Sequence, residues 1–205
     1  PLYSSAASDV YKRQSQNHKL FIMRRFDRDA QLNPLGFEDM TTLMGLSAEQ
    51  KYTKSYAAIA KAVRAFCSPE NQRSSLDQLF DSVALSCIVG NGDAHLKNFG
   101  VLYSDPIKFD ARLAPAYDIV NTTAYIPEDT LALDLSGIKS MFASRLGILE
   151  FARTCEIAEP QARIQALLQT LEVVLKREDE YCRLAPDVAK AIRQSAQSYQ
   201  QSFGG

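Results

Sequence analysis

Asp93 and Asn98 stand five residues apart in the run Asn91-Gly92-Asp93-Ala94-His95-Leu96-Lys97-Asn98, and a second acid, Asp118, follows in Ala116-Tyr117-Asp118-Ile119. An acid, an amide and a further acid in that order supply what phosphoryl transfer requires: a group to accept the hydroxyl proton and two oxygen ligands for magnesium. Magnesium favours hard oxygen donors and takes few of them from protein, the rest being water or phosphate. On this reading Asp93 positions the acceptor hydroxyl, while Asn98 and Asp118 hold Mg²⁺ on the phosphates of ATP. Lys97 offsets charge on the transferred phosphate, and His95 holds the loop by hydrogen bonds. A loop-holding His95 is favoured over a proton-transferring one, because phosphoryl transfer proceeds without a histidine base.

Each of these residues has a plainer reading. Asp and Asn in a turn often do no more than satisfy nearby backbone groups. Against that stand the lysine between them, the apolar helix before them, the apolar strand after them and the Tyr-Asp pair beyond. Tyr117 either lines a nucleotide pocket or packs. Asp134 lies in an apolar run and reads as a satisfied polar residue ahead of a third metal ligand. Arg24, Arg25 and Arg28 read first as a solvated or ion-paired segment and only second as phosphate ligands.

The elements that must carry these residues follow from periodicity. Lys19 to Met23 reads as a strand ending before the turn-rich Gln31 to Gly36. Phe37, Met40, Leu43 and Met44 suggest a short helix closed by Gly45, and Ile59, Val63 and Phe66 another that ends near Ser68-Pro69. Ser74-Ser75-Leu76-Asp77 supplies capping chemistry for a longer helix, in which Leu76, Leu79, Phe80, Val83, Ala84, Cys87 and Ile88 recur at three and four residues. So many apolar positions predict a central helix, broken at Gly90-Asn91-Gly92 to deliver Asp93 into a loop. Strands are expected at 100–103 and 112–114, a hairpin that would return Asp118 to Asn98, and at 131–135. Helices are expected at about 144–157, 160–179 and 186–200. The fold class is mainly α with a small β element (α+β).

The chain has 205 residues, 46% hydrophobic and 23% charged, which suits one globular domain with a real core. A formal charge of −1 gives no global pull toward nucleic acid or membrane. Cys67, Cys87, Cys155 and Cys182 include no C-x-x-C pair, and His18 and His95 are the two imidazoles, so a zinc site is not expected. Cys67 and Cys87 read as small hydrophobes in a reducing cytosol, and no stretch approaches the ~20 apolar residues of a membrane span. The expected location is cytoplasmic. Residues 1–14 lack a starting Met, an apolar signal core and a sustained period, and are read as a non-native tail outside the fold.

Several segments together are similar to a known family: Arg25-Phe26-Asp27-Arg28, Gly36 to Met40, Gly45-Leu46-Ser47, Gly92 to Phe99 and Ala114-Pro115-Ala116-Tyr117-Asp118-Ile119. They resemble the C-terminal region of HipA-type serine/threonine kinases, toxin components of bacterial toxin–antitoxin systems. The resemblance implies a protein-kinase-like C-terminal lobe over 29–205, with 15–28 as the last N-lobe strand and hinge. It also implies ATP and Mg²⁺, and a protein substrate that in characterised relatives is an aminoacyl-tRNA synthetase. A HipB-like DNA-binding antitoxin is implied as partner, with DNA reached only through it and no direct membrane contact. By position Asp93 matches the family's catalytic Asp, Asn98 and Asp118 its magnesium ligands, and Arg24, Arg25 and Phe26 the hinge that meets adenine. Arg24 stands where relatives usually carry Glu, which bears on nucleotide specificity.

No Gly-rich phosphate loop and no strand-borne ATP lysine precede the hinge, so these 205 residues alone are not expected to phosphorylate anything at a useful rate. Two readings compete with the kinase one. A small-molecule kinase of the aminoglycoside or choline type also carries Gly-Asp-x-His-x-x-Asn, and a non-catalytic module would serve only to hold an antitoxin.

Overall fold

The computed structural model describes residues 25–204, together with the backbone course of 10–15 and 18–23. Arg24 lies outside the described residues. Strands β1 (Val10–Ser15) and β2 (His18–Met23) form an antiparallel hairpin with Ser15 opposite His18, so part of the segment read as a tail pairs with the predicted strand. β3 (Gly36–Asp39) then runs into a single helical turn, α1 (Met40–Leu43), whose N-terminus Asp39 caps by accepting from the Thr42 N–H. The helix predicted from Phe37 onward therefore starts only at Met40. Its first residues pair with β4 (Gly100–Tyr103), Gly36 opposite Tyr103 and Asp39 opposite Gly100.

Ser55 caps α2 (Tyr56–Phe66) by accepting from the Ala58 N–H at 3.2 Å, and α3 (Pro69–Val89) follows after Cys67 and Ser68. Its start lies a turn and a half earlier than Ser74-Ser75 suggests, because Pro69 occupies the first helical position, where a missing N–H costs nothing. The hydroxyl of Ser75 instead accepts from the Leu113 N–H at 3.0 Å, tying the helix to β5 (Arg112–Leu113). Gly90 ends α3 at φ 75°, a left-handed conformation that costs a side chain about 1 kcal/mol.

β5 pairs with β4 to complete a three-stranded sheet of order β3-β4-β5, and β6 (Thr130–Leu135) pairs with β7 (Ile138–Ser140) in a separate ribbon. The remainder is helical: α4 (Ser144–Thr154), α5 (Pro160–Arg177), the short α6 (Asp179–Leu184) and α7 (Pro186–Phe203). The architecture is α+β, as expected. Among the described residues no helix is long and apolar enough to cross a membrane.

α3 is the axis of the core. From Ser82 to Val89 it buries Ser82, Val83, Ala84, Ser86, Cys87, Ile88 and Val89, more than one face of an amphipathic helix would cover, because α2, α4, α5, α7 and β5 all pack around it. Phe80 stacks on Phe151 of α4 with centroids 6.5 Å apart, and Tyr56 of α2 meets Phe99 and Phe151 edge-on, each at 6.2 Å. Cys67, Cys87 and Cys155 are free buried thiols within this core, and burial pushes Cys87 up to about 11. The Tyr56 hydroxyl donates to the Ala94 carbonyl at 3.1 Å, so a core tyrosine holds the chemistry-bearing loop from beneath.

Phe151→Ala is expected to cost about 3–5 kcal/mol in urea unfolding, as a transfer term plus a cavity. Tyr56→Phe keeps the packing but strands the Ala94 carbonyl, and is expected to cost about 1–3 kcal/mol in the same measurement.

Candidate functional site

The loop after α3 is built from its own polar residues. Asn91, 1% exposed, accepts from the Asp93 N–H through Oδ1 at 3.0 Å, and its own N–H donates to the Ser86 carbonyl at 2.8 Å. The chain then enters a 3-10 turn over Leu96–Asn98, in which the His95 N–H donates to Asn98 Oδ1 at 3.0 Å and the Asn98 N–H to the His95 carbonyl at 2.9 Å. Fully buried Leu96 pins the turn, donating through its N–H to the Lys51 carbonyl at 3.1 Å. The five-residue spacing is thus spanned by one compact turn, with Asp93 at its entry and Asn98 at its end.

The β4–β5 excursion then brings the second acid back. Ala114 N–H donates to the Gly100 carbonyl at 2.8 Å, and Tyr117 donates through its hydroxyl to the Lys97 carbonyl at 2.5 Å. Asn98 Nδ2 donates to Asp118 Oδ2 at 2.7 Å. Two ligands in neighbouring positions of an octahedral magnesium shell at ~2.1 Å lie about 3 Å apart, so Asn98 and Asp118 are near enough to share one ion, but the Asn98 atom that meets Asp118 is its NH2, which is not a magnesium ligand. The amide oxygen of Asn98 faces the His95 N–H, so presenting it to an ion takes a rotation of the amide. Asp118 is also held at φ 55°, a left-handed conformation uncommon for a residue with a side chain and concentrated at functional positions. Among the described residues no group of three or more His, Cys, Asp or Glu is placed to hold a metal ion.

Around Asp93 the structure adds two residues that sequence reading did not single out. Tyr52 donates through its hydroxyl to Asp93 Oδ1 at 2.7 Å and sets its ring edge-on to His95, centroids 5.1 Å apart. Burial, then the bond to Asp93, raises the Tyr52 pKa, which keeps the phenol a donor. Lys51 Nζ lies 2.7 Å from His95 Nε2 and 4.8 Å from the centre of the Tyr52 ring. An ammonium has only protons to give, so Nε2 accepts from Lys51, while Nδ1 is buried with no hydrogen-bond partner. Burial, reinforced by Lys51 and opposed by Asp93 at 3.9 Å, lowers the His95 pKa and keeps the ring neutral. Lys51 and Tyr52 lie 44 and 41 residues from these partners, and no local pattern announces them.

The remaining predicted residues separate into two groups. Phe26 and Tyr117 meet, with ring centroids 5.3 Å apart, and Phe37 completes the cluster at 5.7 and 6.0 Å, which puts the predicted hinge beside the acid-bearing loop. Burial, with Asp39 and Asp118 nearby, raises the Tyr117 pKa and keeps its phenol neutral. Lys97 is exposed on the same turn as Asn98. It adds its charge to the hydrogen bonds from Thr41 and Thr42 that, against the opposing effect of burial, hold Asp39 below the usual carboxylate range. Arg25, in contrast, donates through Nε to Asp27 at 2.7 Å, and Arg28 pairs with the same acid at 3.6 Å. Both are engaged within their own segment, as the plainer reading had it. Asp134 accepts from the Gly137 N–H at 3.0 Å in the β6–β7 turn.

Comparison with known proteins agrees with this architecture. The Y4dM protein of Sinorhizobium fredii, named only as a candidate kinase, is 31% identical over 176 residues, covering 83% of this chain and 41% of that protein. A Haemophilus influenzae protein, also named as a candidate kinase, is 33% identical over 119 residues, 54% of this chain and 34% of its own length. Among solved structures, a chain of the Shewanella oneidensis MR-1 toxin–antitoxin complex of HipA, HipB and operator DNA shares the fold. Its TM-score is 0.75 at 19% identity, over 95% of this chain and 51% of that one. The present chain therefore spans about half or less of the length of these relatives. The model of the HipA-like C-terminal domain matches residues 4–200, and the chain belongs to that family.

Proposed function

We propose that this chain carries the catalytic half of an ATP- and Mg²⁺-dependent kinase that phosphorylates a serine or threonine hydroxyl of a protein. The observation that carries the reading is the meeting of Asn98 and Asp118 at 2.7 Å, beside an aspartate five residues upstream whose carboxylate is oriented by Tyr52. Membership of a HipA-like family and relatives named as candidate kinases support the reaction class.

In this reading the acceptor hydroxyl lies against Asp93. Tyr52 occupies Oδ1, which leaves Oδ2 to take the proton as the hydroxyl oxygen bonds to the γ-phosphorus. The bond from that phosphorus to the bridging oxygen breaks, and ADP leaves with the electron pair. Asn98 and Asp118 would hold magnesium, whose charge, when bound, offsets that developing on the phosphate oxygens. Lys97, exposed on the same turn, contributes a further positive charge, and the Phe26–Phe37–Tyr117 cluster offers an aromatic face to the adenine side. A HipB-like antitoxin is the proposed partner, in keeping with the HipA, HipB and DNA complex that shares the fold.

Calorimetric titration of the chain with ATP tests the nucleotide reading. Binding is expected to strengthen with Mg²⁺ in the wild type and to lose that dependence in Asp118→Asn; a magnesium-independent signal unchanged in the variant would sink it. Radiolabelled phosphate transfer by the complete gene product tests the rest. Asp93→Asn is expected to slow transfer by about 10²–10⁴-fold with nucleotide affinity retained, the usual worth of a positioned base.

His95 gives the site an acid limit. Its folded pKa lies below the ordinary ~6.5, so its contribution to stability is whole above that value and is lost as pH falls through the depressed one. The melting temperature is expected to drop on acidification below about pH 6.5, and His95→Gln to lessen that drop. Equal acid slopes in the two proteins would show that other groups set it.

A further inference from the structure

Beside Asp93 lies an open groove of about 490 Å³ that none of the roles above uses, bounded by Tyr52, Val120, Ile126, Asp129, Leu131 and Lys139. Tyr52, Val120 and Ile126 are 43%, 42% and 57% exposed, an apolar wall on the acceptor side of the loop. Asp129 is half-buried, and its Oδ1 accepts from the Thr130 N–H at 2.9 Å. Among the described residues no cation is paired with it. It nonetheless sits hard against the catalytic loop: a β-carbon built on Gly92 would fall 2.0 Å from Asp129 Oδ2. Gly92, adjacent to Asp93, thus admits a second carboxylate that any side chain at 92 would drive away. The segment is fixed there by Thr122, whose Oγ1 accepts from the Gly92 N–H at 2.8 Å.

Resting on the kinase reading, we infer that this groove receives an extended acceptor segment whose Ser or Thr lies against Asp93 and whose nearby Lys or Arg side chain is read by Asp129. An extended strand spaces successive side chains by about 3.3 Å and alternates their faces, so a hydroxyl and a cation one or two residues apart can address neighbouring carboxylates. The apolar wall covers the stem of such a side chain while its head pairs with Asp129, as long cationic residues prefer. The Lys139 ammonium, exposed on β7 within the same groove, competes for that carboxylate and limits the number of cations admitted.

The test is fluorescence anisotropy of this chain with labelled eight-residue peptides, a central Ser flanked at two positions by Arg or by Glu, the rest Ala and Leu. The Arg peptide is expected to bind about three- to tenfold more tightly than the Glu peptide, a difference fitting one partly shielded ion pair. Asp129→Asn, which preserves the acceptor for Thr130, should abolish the difference, Asp129→Lys should reverse it, and Lys139→Ala should widen it. Gly92→Ala retains every charge but displaces Asp129, and should also erase the preference, with circular dichroism and melting confirming the fold of each variant. Equal binding of the two peptides by the wild type overturns the inference, as does a preference that survives Asp129→Lys. Saturable binding of a polycationic amino sugar with no peptide binding also overturns it, in favour of a small-molecule acceptor. Because the readout needs no turnover, an intact preference in this chain with no phosphoryl transfer by the complete gene product leaves the groove standing and removes the kinase reading; transfer without preference does the opposite.

Discussion

Hydrogen bonds between the broken end of α3 and the segment after Asp118 hold the site together. Asn121 Nδ2 donates to the Val89 carbonyl at 2.6 Å, the Thr122 N–H to the Gly90 carbonyl at 3.0 Å, and the Gly92 N–H to Thr122 Oγ1 at 2.8 Å. Carbonyls at a helix C-terminus have no partner within the helix, so the chain that follows the second acid is recruited by a need that α3 itself creates. Asn121 is buried, and a buried donor or acceptor stripped of its partner costs about 1–3 kcal/mol, more than the net gain of an ordinary hydrogen bond. The separation of Asp93, Asn98 and Asp118 is therefore a property of the helix end as much as of the loops that carry them.

The core transmits its rigidity to this point along short paths. Tyr56 reaches from α2 to the Ala94 carbonyl, Leu96 buries itself under the 3-10 turn, and the Met40 N–H donates to the Phe99 carbonyl at 3.0 Å. Close packing does not deform smoothly, so a loop tied at these places to fully buried residues has little freedom to drift. That restraint is what a left-handed Asp118 needs. A conformation costing about 1–3 kcal/mol persists only where its surroundings over-determine it, and here Tyr117 is anchored on one side and Asn121 on the other.

Much of this was legible in the sequence, for reasons that also explain what was not. The long apolar period of α3 and its break at Gly90 are local signals, and so is the Asp-to-Asn spacing, because a single turn fixes it. The proximity of Asp118 followed from reading a hairpin between the motifs, which β4 and β5 form. The helix expected from Phe37 is a strand first, since Phe37 pairs opposite Leu102 and packs its ring on Phe26 and Tyr117, contacts that helical spacing cannot reveal. Ser75 looked like a cap because its hydroxyl needed a partner; the partner was Leu113 across the fold. Lys51 and Tyr52 were invisible for the same reason, as their function exists only once α2 has packed beneath the loop.

The orphaned nitrogen of His95 ties these features together. A buried polar nitrogen without a partner is a net cost, and an ammonium beside the other ring nitrogen adds to the difficulty of protonating the ring. A fold that tolerates both is holding an uncharged imidazole between Lys51 and Tyr52, where an imidazolium would draw the Asp93 carboxylate toward itself. Asp93 Oδ1 lies 3.9 Å from Nε2 and 2.7 Å from the Tyr52 hydroxyl, so with the ring neutral the phenol sets the orientation of the carboxylate. The same arrangement leaves the Asp93 carboxylate without an imidazolium partner. In the kinase proposed above, the geometry that would free Asp93 for an incoming hydroxyl is thus also the one that would leave the adjoining groove open to a cation.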